Sequence, residues 1–302
     1  MINGIINVRK ERGYTSFDVV ASLRKILGQK KIGHTGTLDP DAEGVLVVCL
    51  GKATKVTDLI TDRSKTYRAS LLLGTVTDTL DTTGTVLKES GDIPDEAAIR
   101  AAISSFKGEI EQLPPMYSAI RINGKHLYEL ARKGEDIERS PRPVTIYDIE
   151  INDIKLPYVD FTVTCSKGTY IRTLCDDIGK VLGCGGCMAK LLRTCVGEFS
   201  LEDSLTLSEI KELNDNGSLN GHIIGIDRLF EAFPKVVFKD SARIIADNGN
   251  PIASSSVRDL EGRAQVDGQD VRMYDSYGFF YGIYTFDSSR SLYRLKKFFK
   301  EA

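Results

Sequence analysis

The sequence contains no long hydrophobic run. Its 302 residues include no uninterrupted apolar segment longer than the six residues 45–50, whereas a membrane-spanning helix needs about 20. The first nine residues show no basic region followed by an apolar stretch, so they do not resemble a signal peptide. We therefore expect a cytoplasmic protein with no membrane segment.

Metal-ligating and redox-active side chains are also scarce. The chain has six cysteines and three histidines. Cys184 and Cys187 have the CxxC spacing of zinc and redox sites, but no second CxxC follows, and His34, His126 and His222 are distant in sequence. A single CxxC is weak evidence. We favour the alternative, a glycine-rich turn that carries two thiols, and expect no bound metal.

The net charge is close to zero, but it is unevenly distributed. The chain has a formal net charge of −2, yet residues 1–35 hold seven Lys and Arg against two acidic residues. The segments 71–115 and 201–231 each carry a net −5, and the tail 287–302 carries +3. The net charge of the whole chain therefore cannot account for binding to nucleic acid. The segregation instead predicts one cationic face and one acidic face.

Local patterns predict a mixture of helices and strands. A capping box at Thr15 and Asp18, followed by apolar positions on one helical face, predicts a helix that ends at Gly28. Alternation over residues 159–165 predicts a half-buried strand, and a helix over 171–182 follows. The apolar run 45–50 fits a buried strand or a turn of buried helix. Without a regular βαβ repeat, the α+β class is favoured.

The pattern of predicted secondary structure changes after residue 233. Short β-like segments separated by turns recur from there to the end, and they predict a small β-barrel. A length of 302 residues also suits roughly two domains. We therefore expect one domain over residues 1–233 and a second over 234–302. The β-like segments are 236–238, 264–266, 271–274 and 279–286.

Asp39 is the first candidate functional residue. It lies in the glycine-rich segment 33–44, and Pro40 favours an extended conformation for the residue before it. A carboxylate held on a stiff loop can act as a nucleophile or general base. The alternative is an ordinary Asp-Pro turn.

Two further candidates lie at the start of predicted elements. Arg172 falls in the first turn of a helix, where the helix dipole disfavours a cation, so it needs an anion such as Asp39. Tyr67 stands between Lys65 and Arg68 and could stack on a base while the cations hold phosphate. The alternatives are an exposed arginine and an ordinary aromatic core residue.

These segments occur together, in this order, in one enzyme family. The chain resembles the TruB-type tRNA pseudouridine synthases, which modify uridine 55 in the T loop of tRNA; the strings GHTGTLDP (33–40) and SKGTYIRT (166–173) are the most specific. The resemblance implies a pseudouridine-synthase α+β fold with a central, mostly antiparallel sheet and a PUA-like RNA-binding domain at the C-terminal end. The matching stretches are 9–16, 33–40, 65–68, 77–81, 113–119, 166–172 and 191–193.

The resemblance also implies roles for individual residues. Asp39 matches the catalytic aspartate, Arg172 the arginine that pairs with it, and Tyr67 the tyrosine that stacks on the target base. The matches that imply substrate binding are His34, which holds the T loop open, Tyr170 and Leu191 in the pocket, and Lys10 of the first motif. The residues do not decide whether Asp39 attacks the sugar or the base, or removes a sugar proton.

The implied reaction needs no cofactor. Isomerising uridine breaks the C1′–N1 bond, rotates the base and forms a C1′–C5 bond, with no redox change and no phosphoryl transfer. We expect no metal, no obligate protein partner, a monomeric enzyme, and the T arm of tRNA as the ligand. The chain departs from the family pattern at Glu11, which follows Lys10 where the family commonly has proline, and at Asp41 and Glu43, which add two negative charges near the site.

Two other functions remain open at this point. One is a phosphotransferase in which Asp39 and Asp41 form a DxD pair that holds Mg²⁺. The other is an RNA-folding or scaffold protein that binds tRNA without turnover.

Overall fold

The first part of the chain alternates between strands and helices. The computed structural model describes residues 1–118, 120–122, 124–131, 134 and 137–300. The strands of this part are β1 (Gly4–Lys10), β2 (Ile32–His34), β3 (Glu43–Leu50), β4 (Lys65–Leu73), β5 (Thr75–Thr77), β6 (Val86–Glu89), β7 (Gly108–Gln112), β8 (Arg121–Ile122), β9 (Lys125–His126), β10 (Arg142–Lys155), β11 (Tyr158–Cys165), β12 (Gly186–Val196) and β13 (Phe199–Ser200). The α-helices are α1 (Ser16–Leu27), α2 (Thr57–Thr61), α3 (Glu96–Ser104), α4 (Leu127–Ala131), α5 (Ile171–Leu182) and α6 (Leu207–Asp215).

One large sheet forms the centre of this part. Its strand order is β1-β3-β12-β4-β11-β10-β7, with β2 paired to β3 and β13 paired to β12. Its strand pairs are antiparallel except for the parallel pair of β3 and β12. The structure thus confirms the α+β class and the mostly antiparallel central sheet. None of the described helices is both long and apolar enough to cross a membrane.

Strand β3 resolves the ambiguity of the apolar run 45–50. Val45, Val47 and Cys49 pack into one hydrophobic cluster. The intervening Leu46, Val48 and Leu50 pack into another, beside residues of α1 and α6. Both faces of the strand are buried, so the sequence reads as a continuous apolar run rather than an alternating one.

The two helices expected from the sequence are present. The Thr15 side chain accepts from the Asp18 amide at the start of α1, and Gly28 closes that helix in the left-handed conformation. Helix α5 packs closely on β12: a Cβ at Gly179 would lie 2.2 Å from the backbone nitrogen of Gly186. Glycine at 179 therefore lets the C-terminal half of α5 approach the sheet.

The C-terminal part is a nearly closed β-barrel. Its strands are β14 (Lys235–Phe238), β15 (Ile252–Ala253), β16 (Val257–Asp259), β17 (Asp270–Tyr274), β18 (Phe280–Asp287) and β19 (Leu292–Phe298), with the short helix α7 (Arg243–Asp247). The predicted strand at 264–266 is wrong, because the Asp259 carboxylate accepts from the amides of Gly262 and Ala264 and holds this segment as a loop. Strand β19 was not predicted, because its exposed lysines and arginines read only as a basic tail.

The barrel shares a hydrophobic core with the first part of the chain. Ile283 and Phe299 pack in the same cluster as Ile226 and Phe230. Phe230 and Phe299 have ring centroids 6.2 Å apart. The Lys55 ammonium also donates to the Phe298 carbonyl at 3.0 Å. The barrel is therefore packed against the region that carries the candidate site.

Candidate active site

Asp39 lies on a short loop between β2 and β3. We call residues 35–42 the Asp39 loop. The Leu38 amide donates to Ser16 Oγ at 2.9 Å, and the Ser16 hydroxyl is 3.2 Å from the Leu38 carbonyl. The Ala42 amide donates to the Asp39 carbonyl at 3.1 Å. The loop is thus tied to the first turn of α1 and internally bonded, in agreement with the stiff loop expected from the sequence.

Lys10 anchors the same loop from inside the protein. Its side chain is fully buried, and Nζ donates to the carbonyls of Ala42 at 2.6 Å, Pro40 at 3.1 Å and Glu11 at 3.2 Å. Burial lowers its pKa to about 8. Counting Lys10 in the cationic face of residues 1–35 was therefore wrong, because its ammonium group points away from solvent.

The low pKa of Lys10 leads to a testable pH dependence. Above about pH 8 Lys10 loses its proton and holds the loop less firmly, so kcat/KM should fall. Folding stability should not fall with it, because the unfolded chain binds more protons in the window between the folded and unfolded pKa values. The measurement is a pH profile beside denaturant unfolding at each pH.

Lys65 provides the control for this profile. Burial also lowers its pKa to about 8, but its Nζ donates to the carbonyls of Thr61 and Arg63 and not to a carbonyl of the Asp39 loop. Lys10→Met should remove the alkaline limb and Lys65→Met should retain it. An alkaline limb that survives in Lys10→Met would contradict the assignment.

Arg172 pairs with Asp39 as the sequence predicted. Its Nε lies 3.0 Å from Asp39 Oδ2, and its Nη2 lies 3.2 Å from Oδ1. The remaining donors reach the carbonyls of Tyr117 at 2.7 Å and Thr79 at 3.2 Å. Arg172 is only 6% exposed, whereas the Asp39 side chain is 39% exposed. The buried guanidinium therefore orients the Asp39 carboxylate, which stays exposed on one side.

Residue 119, at the end of the matched stretch 113–119, lies outside the described residues.

Opposing effects act on the pKa of the Asp39 carboxyl group. Burial raises the pKa of its carboxyl group, while the nearby charges of Arg172 and Lys10 act to lower it and that of Asp81 adds to the increase. The carboxylate is partly dehydrated, which makes it a stronger base and nucleophile than an aspartate in bulk water.

The turn that carries Asp81 also belongs to this site, although sequence reasoning assigned it no role. The Asp81 carboxylate accepts from the hydroxyls of Thr79 at 2.7 Å and Thr83 at 2.6 Å, and it lies 3.8 Å from Arg172 Nη1. Leu80 adopts a left-handed φ of 63°, a conformation that costs a leucine energy and persists only where its surroundings enforce it. The signal in the sequence was the matched stretch 77–81.

Tyr67 and Leu191 lie on neighbouring strands beneath the Asp39 loop. Tyr67 is on β4 and packs in the cluster that contains Leu38, and Leu191 on β12 packs against that cluster. Burial raises the pKa of the Tyr67 hydroxyl. Tyr67 is thus largely buried, and it packs next to the loop that carries Asp39.

His34 and Tyr170 stand at the ends of two site elements. The His34 Nδ1 accepts from the Gly36 amide at 3.3 Å, and burial, with the charge of Arg193, lowers the pKa of the ring. Tyr170 precedes α5, and its amide donates to Gln112 Oε1 at 2.9 Å. Burial raises the pKa of its hydroxyl. Their binding roles stay predictions.

Arg193 is a second site arginine that the sequence reasoning left without a role. It is 2% exposed, its Nε donates to the Val45 carbonyl at 2.7 Å, and its Nη2 donates to the Gly36 carbonyl at 3.2 Å. The only signal in the sequence was its place in the matched stretch 191–193.

The two cysteines with CxxC spacing are buried. Cys184 is 2% exposed and Cys187 is 0% exposed, and burial raises the pKa of Cys187 to about 11. Within the described ranges, no group of three or more His, Cys, Asp and Glu side chains could hold a metal ion.

Because these thiols are buried, their removal should affect stability rather than catalysis. The double variant Cys184→Ala with Cys187→Ala should keep the turnover rate within about twofold, while each change lowers the free energy of unfolding by about 0.5–3 kcal/mol. Steady-state rates and urea unfolding measure the two effects. A tenfold loss of rate with unchanged stability, or stoichiometric zinc in the purified protein, would contradict this prediction.

Two solved structures share the architecture of nearly the whole chain. A chain of the H/ACA RNP bound to a substrate RNA containing 2′-deoxyuridine is similar with a TM-score of 0.69 and 28% identity, over 99% of this chain and 85% of that one. A chain of a Cbf5-Nop10-Gar1 complex is similar with a TM-score of 0.68 and 30% identity, over 99% and 84%. This mixed α+β fold is that of a pseudouridine synthase.

Family models and curated relatives identify the family. Residues 24–171 match the TruB family pseudouridylate synthase N-terminal domain, and residues 172–231 match the tRNA pseudouridylate synthase B C-terminal domain. The tRNA pseudouridine synthase B of Lachnoclostridium phytofermentans is 48% identical over 99% of this chain and 100% of the relative. That of Alkaliphilus oremlandii is 50% identical over 90% of each. The chain belongs to the TruB family of pseudouridylate synthases.

Proposed function

We propose that this enzyme converts the uridine at position 55, in the T loop of tRNA, to pseudouridine. Membership of the TruB family supports the isomerisation of uridine in tRNA, since the relatives are tRNA pseudouridine synthases. The T-loop position follows from the resemblance of the segments around Asp39 and Arg172 to that family.

The observation that carries the mechanism is the pairing of Asp39 with Arg172. A carboxylate that is oriented by a buried guanidinium and exposed on one side can approach the C1′ or C6 atom, or a proton of the sugar. Asp39 begins the reaction in our proposal. The C1′–N1 bond then breaks, the base rotates, and a C1′–C5 bond forms, while C5 loses a proton and N1 gains one. The atoms and electrons balance without a cofactor.

The neighbouring side chains have binding roles in the same proposal. The target base must leave its stack to reach Asp39, and Tyr67 stacks on the extruded base. His34 holds the T loop open, and Tyr170 and Leu191 line the pocket. Lys10 contributes through the Asp39 loop, because its ammonium group is buried beneath that loop.

The structure argues against the phosphotransferase alternative. Its Mg²⁺ site would need the carboxylates of Asp39 and Asp41 to converge on one ion. Asp41 instead pairs with Arg12 at 3.0 Å on the exposed side of the loop, while Asp39 pairs with Arg172. The two carboxylates are therefore held by different arginines.

The decisive experiment is turnover on an unmodified tRNA transcript. Pseudouridine should form at position 55 and be absent with Asp39→Asn. A transcript with cytidine at position 55 is the matched control. Pseudouridine at another position would refute the T-loop assignment, and binding without any turnover would favour the RNA-folding or scaffold alternative.

We further propose that residues 1–233 carry catalysis and residues 234–302 help to hold the RNA, in a monomeric enzyme. All the proposed catalytic residues precede residue 200, and the barrel packs against the same hydrophobic cluster as β3. A stem bound along the barrel would thus be held at a fixed distance from the Asp39 loop.

The cationic face of residues 1–35 should dominate RNA affinity. Lys30 and Lys31 are exposed on the turn after α1. Each neutralised phosphate contributes about −0.9 to the slope of log K against log salt on a duplex, and less on single strands. Lys30→Ala with Lys31→Ala should therefore flatten the slope by about 1–2. Binding measured at several salt concentrations gives this slope.

Lys211→Ala is the control for the salt slope, because Lys211 pairs with Asp215 in an acidic segment. Its slope should match that of the wild type. An unchanged slope in the Lys30 and Lys31 variant would place the RNA face elsewhere, with residues 121–142, which the structure describes only in part, as the next candidate.

A further inference from the structure

The Arg193 side chain joins two segments that flank Asp39. Its donors reach the Gly36 carbonyl on one side of Asp39 and the Val45 carbonyl on the other. The described ion pairs include none of Arg193, so backbone carbonyls hold this buried guanidinium. A planar fork of donors suits two carbonyls that lie in different directions, whereas a lysine presents a single point of charge.

The Arg193 backbone secures the same region. Strands β12 and β3 meet in parallel at Arg193 and Gly44. Gly44 has a φ of +109°, and a Cβ there would lie 2.1 Å from the Arg193 carbonyl. Only glycine allows this approach. Main chain and side chain of Arg193 therefore both hold the start of β3, directly after the Asp39 loop, against β12.

Arg193 also lies directly opposite Tyr67. The two residues are partners in the antiparallel pairing of β4 and β12. Directly opposed residues have their side chains on the same face, with Cβ atoms about 4.5–5.5 Å apart. The guanidinium acts on the Tyr67 hydroxyl by charge and hydrogen bonding, which lowers its pKa against the larger effect of burial.

We propose that Arg193 is a positioning residue that fixes Tyr67 and the Asp39 loop relative to each other. This inference rests on the proposed function, in which Tyr67 stacks on the base and Asp39 reacts with it. Without the Arg193 side chain, the Tyr67 ring and the Asp39 carboxylate are still present, but no single group fixes their relative position. The chemical step suffers, since small misplacements of reacting groups slow catalysis strongly.

Lys10 provides a matched comparison. It too is a buried cation that donates to carbonyls of the Asp39 loop, but its described hydrogen bonds go to Glu11, Pro40 and Ala42 and not to Tyr67. Both cations are replaced by methionine, which has a similar length and no charge. Each variant is combined with Tyr67→Phe, which keeps the ring and removes only the hydroxyl. The readouts are the single-turnover rate on tRNA and the Kd for tRNA.

Arg193→Met should slow the single-turnover step by roughly 10- to 100-fold and change the Kd by less than about threefold. Adding Tyr67→Phe to Arg193→Met should slow it little further, because both changes remove the same contact. In the double variant with Lys10→Met and Tyr67→Phe, the two rate losses should multiply to within about twofold, as the effects of independent sites do. Multiplicative effects of Arg193→Met and Tyr67→Phe, or an unaltered rate in Arg193→Met, would overturn the inference. If Arg193→Met does not fold, Arg193→Lys takes its place with the same criterion.

A spectroscopic measurement separates this inference from the proposed function. With fluorotyrosine incorporated, the ¹⁹F resonance of Tyr67 is assigned by its disappearance in Tyr67→Phe. It should shift in Arg193→Met and stay in place in Lys10→Met; equal shifts in both variants, or none, would refute the contact. Absence of pseudouridine with the wild type would refute the proposed function alone, because the ¹⁹F result does not depend on turnover.

Discussion

Asp39→Asn is expected to abolish pseudouridine formation while tRNA affinity changes by less than about tenfold, or 1.4 kcal/mol. The amide keeps the size of the carboxylate and can still lie beside Arg172, but it cannot act as a nucleophile or base. The binding surface is unchanged, so the substrate still docks. Single-turnover assays and equilibrium binding with the same transcript measure the two quantities.

Asp41→Asn is the control for this result. Asp41 is two residues away and pairs with Arg12 at the surface, where both side chains are more than half exposed. Its loss should leave turnover within about twofold, as is usual for surface substitutions. Measurable steady-state turnover by Asp39→Asn, or an equal loss in both variants, would exclude Asp39 as the residue that begins the reaction.

Arg172→Ala is expected to lose both activity and stability. The substitution leaves the Asp39 carboxylate without its partner and the carbonyls of Thr79 and Tyr117 without their donor. Breaking a fully buried pair costs about 3–5 kcal/mol, and since Asp39 is partly exposed we expect about 2–3 kcal/mol. Urea unfolding measures the stability, and turnover on tRNA measures the activity.

Arg172→Lys separates charge from geometry. A lysine keeps the charge but cannot pair with the carboxylate through two parallel bonds, so activity should remain low while part of the stability returns. An Arg172→Ala protein with the stability and activity of the wild type would show that the pair has neither role.

The parts of the fold that could be predicted are those specified by neighbouring residues. Helix α1 has its capping box and its closing glycine within its own sequence, and β11 shows its alternation directly. Strand β3 could not be separated from a helix, because which neighbours cover its two faces is decided by distant residues. The segment 264–266 has the composition of a strand, but hydrogen bonds that the backbone amides of Gly262 and Ala264 donate to the Asp259 carboxylate replace strand pairing there.

The candidate site shows the same division. The pairing of Arg172 with Asp39 could be predicted, because a cation in the first turn of a helix needs an anion and a carboxylate on a stiff loop was available. The burial of Lys10 could not, since its acceptors at Pro40 and Ala42 lie 30 and 32 residues away. A lysine in a basic segment gives no local sign that it points inwards. Arg193 was missed for the same reason.

The cluster that joins the barrel to the central sheet has a consequence for folding. Ile5, near one end of the described chain, and Phe299, near the other, belong to that one cluster. Contacts between such distant residues slow folding, because a long loop must close before they form. During synthesis, the cluster beneath β3 stays incomplete until residue 299 has been added. We expect the barrel and the sheet to unfold in one cooperative transition, because Phe299, directly after the last strand, completes the hydrophobic cluster that joins them.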